Sequence, residues 1–178
     1  MRFRPSAVAG LVLTVALTVL ACKSAPSQKP FGGGDVNTGP GSVEFVRRQL
    51  MGTWRLQQFE AADAAGQLHV VKADATLEYD QFGNMKVEGT LLEPLPGQQQ
   101  PPSAAAQAML QYSGRIAIDT QKQELRLLNQ QGTADPSLQT SVGPQLARRY
   151  QIDNDKLTLT FVDAQGKTTG RATFQRAK

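Results

Sequence analysis

A single cysteine and a single histidine bound the chemistry available to this chain of 178 residues. Cys22 and His69 alone build no internal disulfide and no Cys/His zinc cluster. A serine–histidine–aspartate site would have to be assembled around His69. That residue lies in a short apolar stretch, Leu68-His69-Val70-Val71, with no second imidazole in the chain to join it. His69 is accordingly expected at an exposed or rim position. Paired carboxylates can run glycosidase chemistry, but Asp119, Glu124, Asp153 and Asp155 stand at hairpin ends. There Asp favours hydrogen bonds to nearby main-chain groups. Gly32-Gly33-Gly34 lies in a Ser/Pro/Gly-rich stretch rather than between a strand and a helix, so it is no phosphate-cradling loop. No G-x-S-x-G or S-x-x-K stands in a context that would activate a serine. The chain therefore reads as non-enzymatic, with no metal and no cofactor implied.

Charge excludes another class. Lys and Arg number 19 against 15 Asp and Glu, but Arg2 and Arg4 sit at the extreme N-terminus. Without them the excess of four falls to two. No dense basic patch remains to carry nucleic-acid binding.

Those two arginines open a different pattern. Met1 to Pro5 is basic, and Ala7 to Ala21 is uncharged and mostly apolar. A basic start before a short apolar run is the pattern of a secretory signal. As a helix the run would reach about 22 Å, short of the roughly 30 Å hydrocarbon core of a bilayer. The run closes on Val19-Leu20-Ala21-Cys22, which resembles the lipobox of bacterial lipoproteins, with Leu20 where a smaller residue is more usual. The resemblance implies a signal peptide over 1–21 and acylation of Cys22, which would hold the protein to a membrane. Two or more acyl chains anchor firmly where one is marginal. Lys23, rather than an acidic residue, follows the cysteine. By the sorting rule of enteric lipoproteins this points to the outer membrane of an exported, lipid-anchored envelope protein.

Residues 22–41 (Cys22 followed by KSAPSQKPFGGGDVNTGPG) show no helix or strand period and read as a flexible tether. The domain is expected over 42–178. Ser42 is placed to cap a short helix whose apolar stripe is Val43, Val46 and Leu50, ended by Gly52. After Gly52 the period changes to two. Apolar residues alternate with polar ones through Trp54–Leu56, Leu77–Tyr79, Met85–Leu91, Ile116–Ile118, Leu125–Leu127, Leu146–Ile152, Leu157–Phe161 and Ala172–Phe174. Leu68 to Lys72 adds a further short strand. Turn residues separate the runs, as at Phe82-Gly83-Asn84 and Asn154-Asp155. The fold class expected is all-β, an antiparallel up-and-down barrel of about eight or nine strands. It has a short N-terminal helix and one helix in a long connection. That second helix is expected at Ala104 to Tyr112, after the Pro/Gln loop from Glu93 to Ser103. Gln131 to Pro144 reads as a polar loop forming a mouth or lid.

Gly52-Thr53-Trp54 on the first strand resembles the G-x-W signature of lipocalins, with a short helix just before it as in that family. The hairpin from Tyr79 to Met85, the entry Tyr112-Ser113-Gly114-Arg115 into Ile116, and the pair of strands from Arg149 to Thr160 are similar to bacterial lipocalin-like domains. The resemblance covers about Val43 to Lys178. It implies that an arginine near the end of the last strand lies across the Trp54 ring and closes the base. Arg176 shares inward parity with Ala172 and Phe174, whereas Arg171 does not, so Arg176 is the residue expected there.

Parity also gives a candidate lining: Leu56, Leu77, Tyr79, Val87, Ile116, Leu127, Tyr150 and Phe161, with Arg148 placing one charge inside. Such an interior suits a small apolar or amphipathic ligand. The same residues would also make a plain packed core, since a barrel of eight strands is either filled or just wide enough for one small ligand. Two functions stay open: non-catalytic binding of such a molecule, or a filled barrel acting as a protein-interaction or inhibitor module in the envelope.

Overall fold

A computed structural model describes residues 38–97 and 109–178. The expected signal peptide, Cys22 and most of the tether lie outside them. The described residues build one antiparallel sheet of nine strands and two short helices. The order is α1 (Val43–Leu50), β1 (Gly52–Ala62), β2 (Leu68–Val71), β3 (Ala73–Tyr79), β4 (Asn84–Leu91), β5 (Met109–Asp119), β6 (Glu124–Ala134), α2 (Pro136–Val142), β7 (Ala147–Asp153), β8 (Lys156–Val162) and β9 (Thr168–Arg176).

Each strand pairs with its successor from β3 to β9, and β9 returns to β1 along Trp54–Ala61, which closes the sheet. That pairing occupies one edge of β1. Its other edge is shared, Gly52–Arg55 going to β3 and Phe59–Ala62 to β2. The barrel is therefore closed by eight strands, with β2 as an extra segment set off from β3 by Lys72. The fold class read from the alternation is the one the chain adopts.

Carboxylates shape the turns. Asp80 accepts from the main-chain N–H groups of Phe82 and Asn84 and from the Asn84 amide. The Asn84 side chain is the first cause that holds the Asp80 carboxyl below its ordinary range. Gly83 takes the positive φ of +81° that this turn needs. Asp119 and Asp163 accept main-chain N–H groups within their own turns in the same way.

One end of the barrel, the base, is closed by α1. Ser42 caps it by accepting from the Phe45 N–H, and Val46 and Leu50 are buried. Val43, expected on that stripe, is exposed in the first turn. Val43 is the first residue of the helix, a turn ahead of the buried Val46.

The second helix differs in place from the expectation. Met109 to Tyr112, read as the end of a helix, are the first residues of β5, with Leu110 opposite Ala134 and Tyr112 between Val87 and Gly132. Residues 104–108 lie outside the described set. The helix in a connection is α2, within the segment read as a polar loop. Pro136 sits at its first position, where a missing N–H costs nothing. Leu138 and Val142, four residues apart, turn inward together.

One seam is thin. β6 and β7 share only the pairs Glu124–Arg149 and Leu125–Arg148. Beyond them β6 continues to Ala134 with Leu128 to Thr133 exposed, while the chain turns away into α2.

Candidate functional site

The barrel offers two places where chemistry converges, its base and the interior beneath α2. At the base, Trp54 is fully buried and its indole N–H donates to the Leu50 carbonyl at 2.7 Å. This satisfies one of the carbonyls that a helix C-terminus leaves free. Arg176 lies opposite Trp54 in register, with its guanidinium carbon 4.1 Å from the centre of the indole. It donates to the carbonyls of Met51 and Gln49 at 2.6 and 2.7 Å and pairs with Asp155 at 3.2 Å. Arg176 thus fastens the end of α1 to the first and last strands. Gly52 has φ of +119°, and a Cβ there would stand 3.1 Å from the Arg176 guanidinium. The glycine and tryptophan of the signature therefore have one structural reason, the packing of this arginine.

At the other end α2 covers the barrel. Leu138 and Val142 face a partly open cavity of about 60 Å³. Of the candidate lining, Leu56, Leu77, Val87, Arg148 and Phe161 surround this cavity. Tyr79, Ile116 and Tyr150 are buried in the barrel but do not border it. Leu127 is half-buried and borders a groove outside the barrel at the β6–β7 seam. Parity had identified the inward residues, but which of them meet a gap depends on residues contributed by the connection, above all Leu138 and Val142. Tyr112, also missed, reaches the cavity because its segment is a strand rather than a helix.

Two charged residues border the cavity: Asp74, which is exposed, and Arg148, which is only 1% exposed. Arg148 is thus its buried charge. It donates to the carbonyls of Leu146 at 2.9 Å and of Pro144 and Gly143 at 3.4 Å each, and to the Tyr112 hydroxyl at 3.1 Å. The rings of Tyr112 and Phe161 lie 5.6 and 5.8 Å from its guanidinium carbon. Tyr112 in turn donates to the Val142 carbonyl at 3.5 Å, and the Thr169 hydroxyl donates to Ser141 at 3.1 Å. These contacts hold the C-terminal end of α2 over the barrel. Tyr79 carries a buried hydroxyl with no hydrogen-bond partner. Burial pushes its phenol above the ordinary range, against the opposing pull of the Arg148 charge.

Among the described residues nothing comparable gathers elsewhere. His69 lies on β2 with half its ring exposed and its Nε2 2.8 Å from Asp63, as a rim residue should. That contact is the first cause lowering the Asp63 pKa. Among the described residues no group of three His, Cys, Asp or Glu could hold a metal ion.

The class that fold and site define is a closed antiparallel β-barrel, helix-capped at its base, with a helix over a mostly apolar interior. No protein-family model matches the sequence, and no curated protein matches it either. Among solved structures, a de novo designed fluorescence-activating β-barrel aligns at 12% identity and TM-score 0.40, over 74% of this chain and 97% of its own. Rv2717c from M. tuberculosis aligns at 11% and 0.38, over 79% and 99%. A mutant of the fluorescent protein UnaG aligns at 13% and 0.35, over 73% and 97%.

Proposed function

We propose that this barrel binds a small apolar or amphipathic molecule without catalysis, and that α2 is the element that admits it. The observation that carries the reading is the cavity between the barrel wall and α2, lined mostly by apolar side chains, together with Asp74, Thr90, Tyr112 and Arg148. Its volume of about 60 Å³ is well below the roughly 300–1,000 Å³ of pockets that enclose drug-sized ligands. An apolar cavity of about 150 Å³ takes benzene. A larger guest therefore needs α2 to move. A helix of seven residues has little stability of its own.

Native mass spectrometry of the full chain, purified gently from a bacterial envelope, tests this. A discrete extra mass released by organic solvent is expected. A clean apo mass, unchanged after exposure to envelope lipid extract, would overturn the reading.

A second reading has its own observation. The seam between β6 and β7 holds a groove of about 460 Å³ on the outer surface, bordered by Leu127, Leu128 and Leu146 beside Arg126 and Arg149. A barrel without a guest would use this surface for a protein partner in the envelope.

We further propose, on the residues from Arg2 to Cys22, that the protein is exported and held to a membrane, the outer one, by acylated Cys22. Cys22→Ala should then move the protein from the membrane to the soluble fraction. Continued tight sedimentation with membranes would refute the anchor.

A further inference from the structure

Arg148 is a buried cation whose hydrogen-bond partners are all neutral, although Asp74 also borders the cavity. The ion pairs formed among the described residues involve other groups. Its hydrogen bonds go to three main-chain carbonyls and one hydroxyl, and two of the carbonyl contacts stretch to 3.4 Å. A buried charge is costly unless a counter-charge or strong hydrogen bonds compensate it. In the absence of a guest its guanidinium is occupied by the carbonyls of the turn after α2 and by the Tyr112 hydroxyl, acceptors that carry no charge to match its own.

We infer that the guest of this barrel carries a carboxylate-class headgroup, which docks on Arg148 and Tyr112 and takes the guanidinium from the carbonyls that hold α2. The inference rests on the small-molecule reading and names the ligand class for that same interior. A carboxylate accepts two parallel N–H bonds from a guanidinium at about 2.7–2.9 Å, shorter and stronger than bonds to neutral carbonyls. It would therefore displace the long contacts to Gly143 and Pro144 first. The flanking rings of Tyr112 and Phe161 hold the guanidinium in place while its edge changes partner. The apolar tail takes the lining under Leu138 and Val142.

The exchange also explains how a cavity of about 60 Å³ admits a larger molecule. The group that recognises the headgroup is the group that fastens the cover. Binding would loosen the segment from Leu138 to Leu146, and the released carbonyls would turn to water.

The probes are octanoate and 1-octanol, equal in chain length and different in charge, titrated by calorimetry into the full chain at pH 7.5. Octanoate should bind at least ten-fold more tightly. Hydrogen exchange should speed up between Leu138 and Leu146 on its addition. Arg148→Met should abolish the preference, and Tyr112→Phe, which keeps the ring, should reduce it. The comparison on the unaltered chain stands even where a variant fails to fold. Equal affinity for acid and alcohol would overturn the headgroup assignment and leave the small-molecule reading intact. Binding of neither would overturn both. Tighter octanoate binding with increased protection of Leu138 to Leu146 would retain Arg148 as the headgroup site but overturn the exchange with α2.

Discussion

Trp54→Ala should destabilise the barrel by about 3–5 kcal/mol, the usual cost of truncating a large buried aromatic. For a domain of this size that corresponds to a fall in melting temperature of about 10 °C or more. Three losses combine. The indole is fully buried and packs where β1, β3 and β9 begin or end. The Leu50 carbonyl loses its donor at the end of α1. Arg176 loses the ring it lies on and is left fastening α1 by its carbonyl contacts alone. A partly desolvated guanidinium on indole contributes on the order of 1–2 kcal/mol, so Arg176→Ala should cost less, about 2 kcal/mol with its hydrogen bonds included. The two changes share one contact and should be less than additive. Thermal unfolding of the two single variants and the double variant measures this directly. A loss below 1 kcal/mol for Trp54→Ala would mean that the base is not a cornerstone of the fold.

That prediction was nearly legible in the sequence. Gly52-Thr53-Trp54 marked the first strand, and parity alone chose Arg176 over Arg171. The structure pairs Trp54 with Arg176 directly. Period two was readable wherever a strand buries one face, as in β4, where Met85, Val87 and Leu91 are buried while Lys86 and Glu88 are exposed. It failed where neither face is buried. β6 runs on from Leu128 to Thr133 as Leu-Asn-Gln-Gln-Gly-Thr, all exposed. With no neighbour across the seam it has no hidden side to write into the sequence. Gln131 to Thr133 looked like the start of a polar loop for that reason. α2 was hidden by brevity, since two inward residues in seven make barely two turns of pattern. Met109 to Tyr112 misled in the opposite direction. Their helical propensity is real, but pairing with both β4 and β6 overrides it.

The same logic limits what could be read of the interior. Parity placed Arg148 inside, yet its partners are carbonyls of Gly143, Pro144 and Leu146, three residues in a turn after α2. Such contacts leave no trace in residue type. The cavity is likewise a property of how α2 sits, not of any residue's alternation.

Ala172→Leu is the variant that asks whether that cavity is the binding site. Ala172 is buried on β9, between Leu159 of β8 and Phe59 of β1 in register, and it borders the cavity. Leucine adds three carbons to a free space of about 60 Å³. The added group occupies the volume an apolar guest would take and presses on the position from which α2 must be displaced. Overpacking a tight core costs about 1–3 kcal/mol, but a gap is already present, so the net change in stability should stay within about 1 kcal/mol. Binding should respond far more. A guest excluded from the interior loses most of its apolar burial, at about 25 cal/mol per Å², and a hundred-fold loss of affinity corresponds to only about 2.7 kcal/mol. Titration of 1-octanol, which carries no charge for Arg148 to recognise, into the unaltered protein and into the variant reads this loss. Unchanged affinity with an intact melting transition would place binding outside the barrel. The groove at the β6–β7 seam, whose borders Ala172 does not touch, would then be the surface to probe.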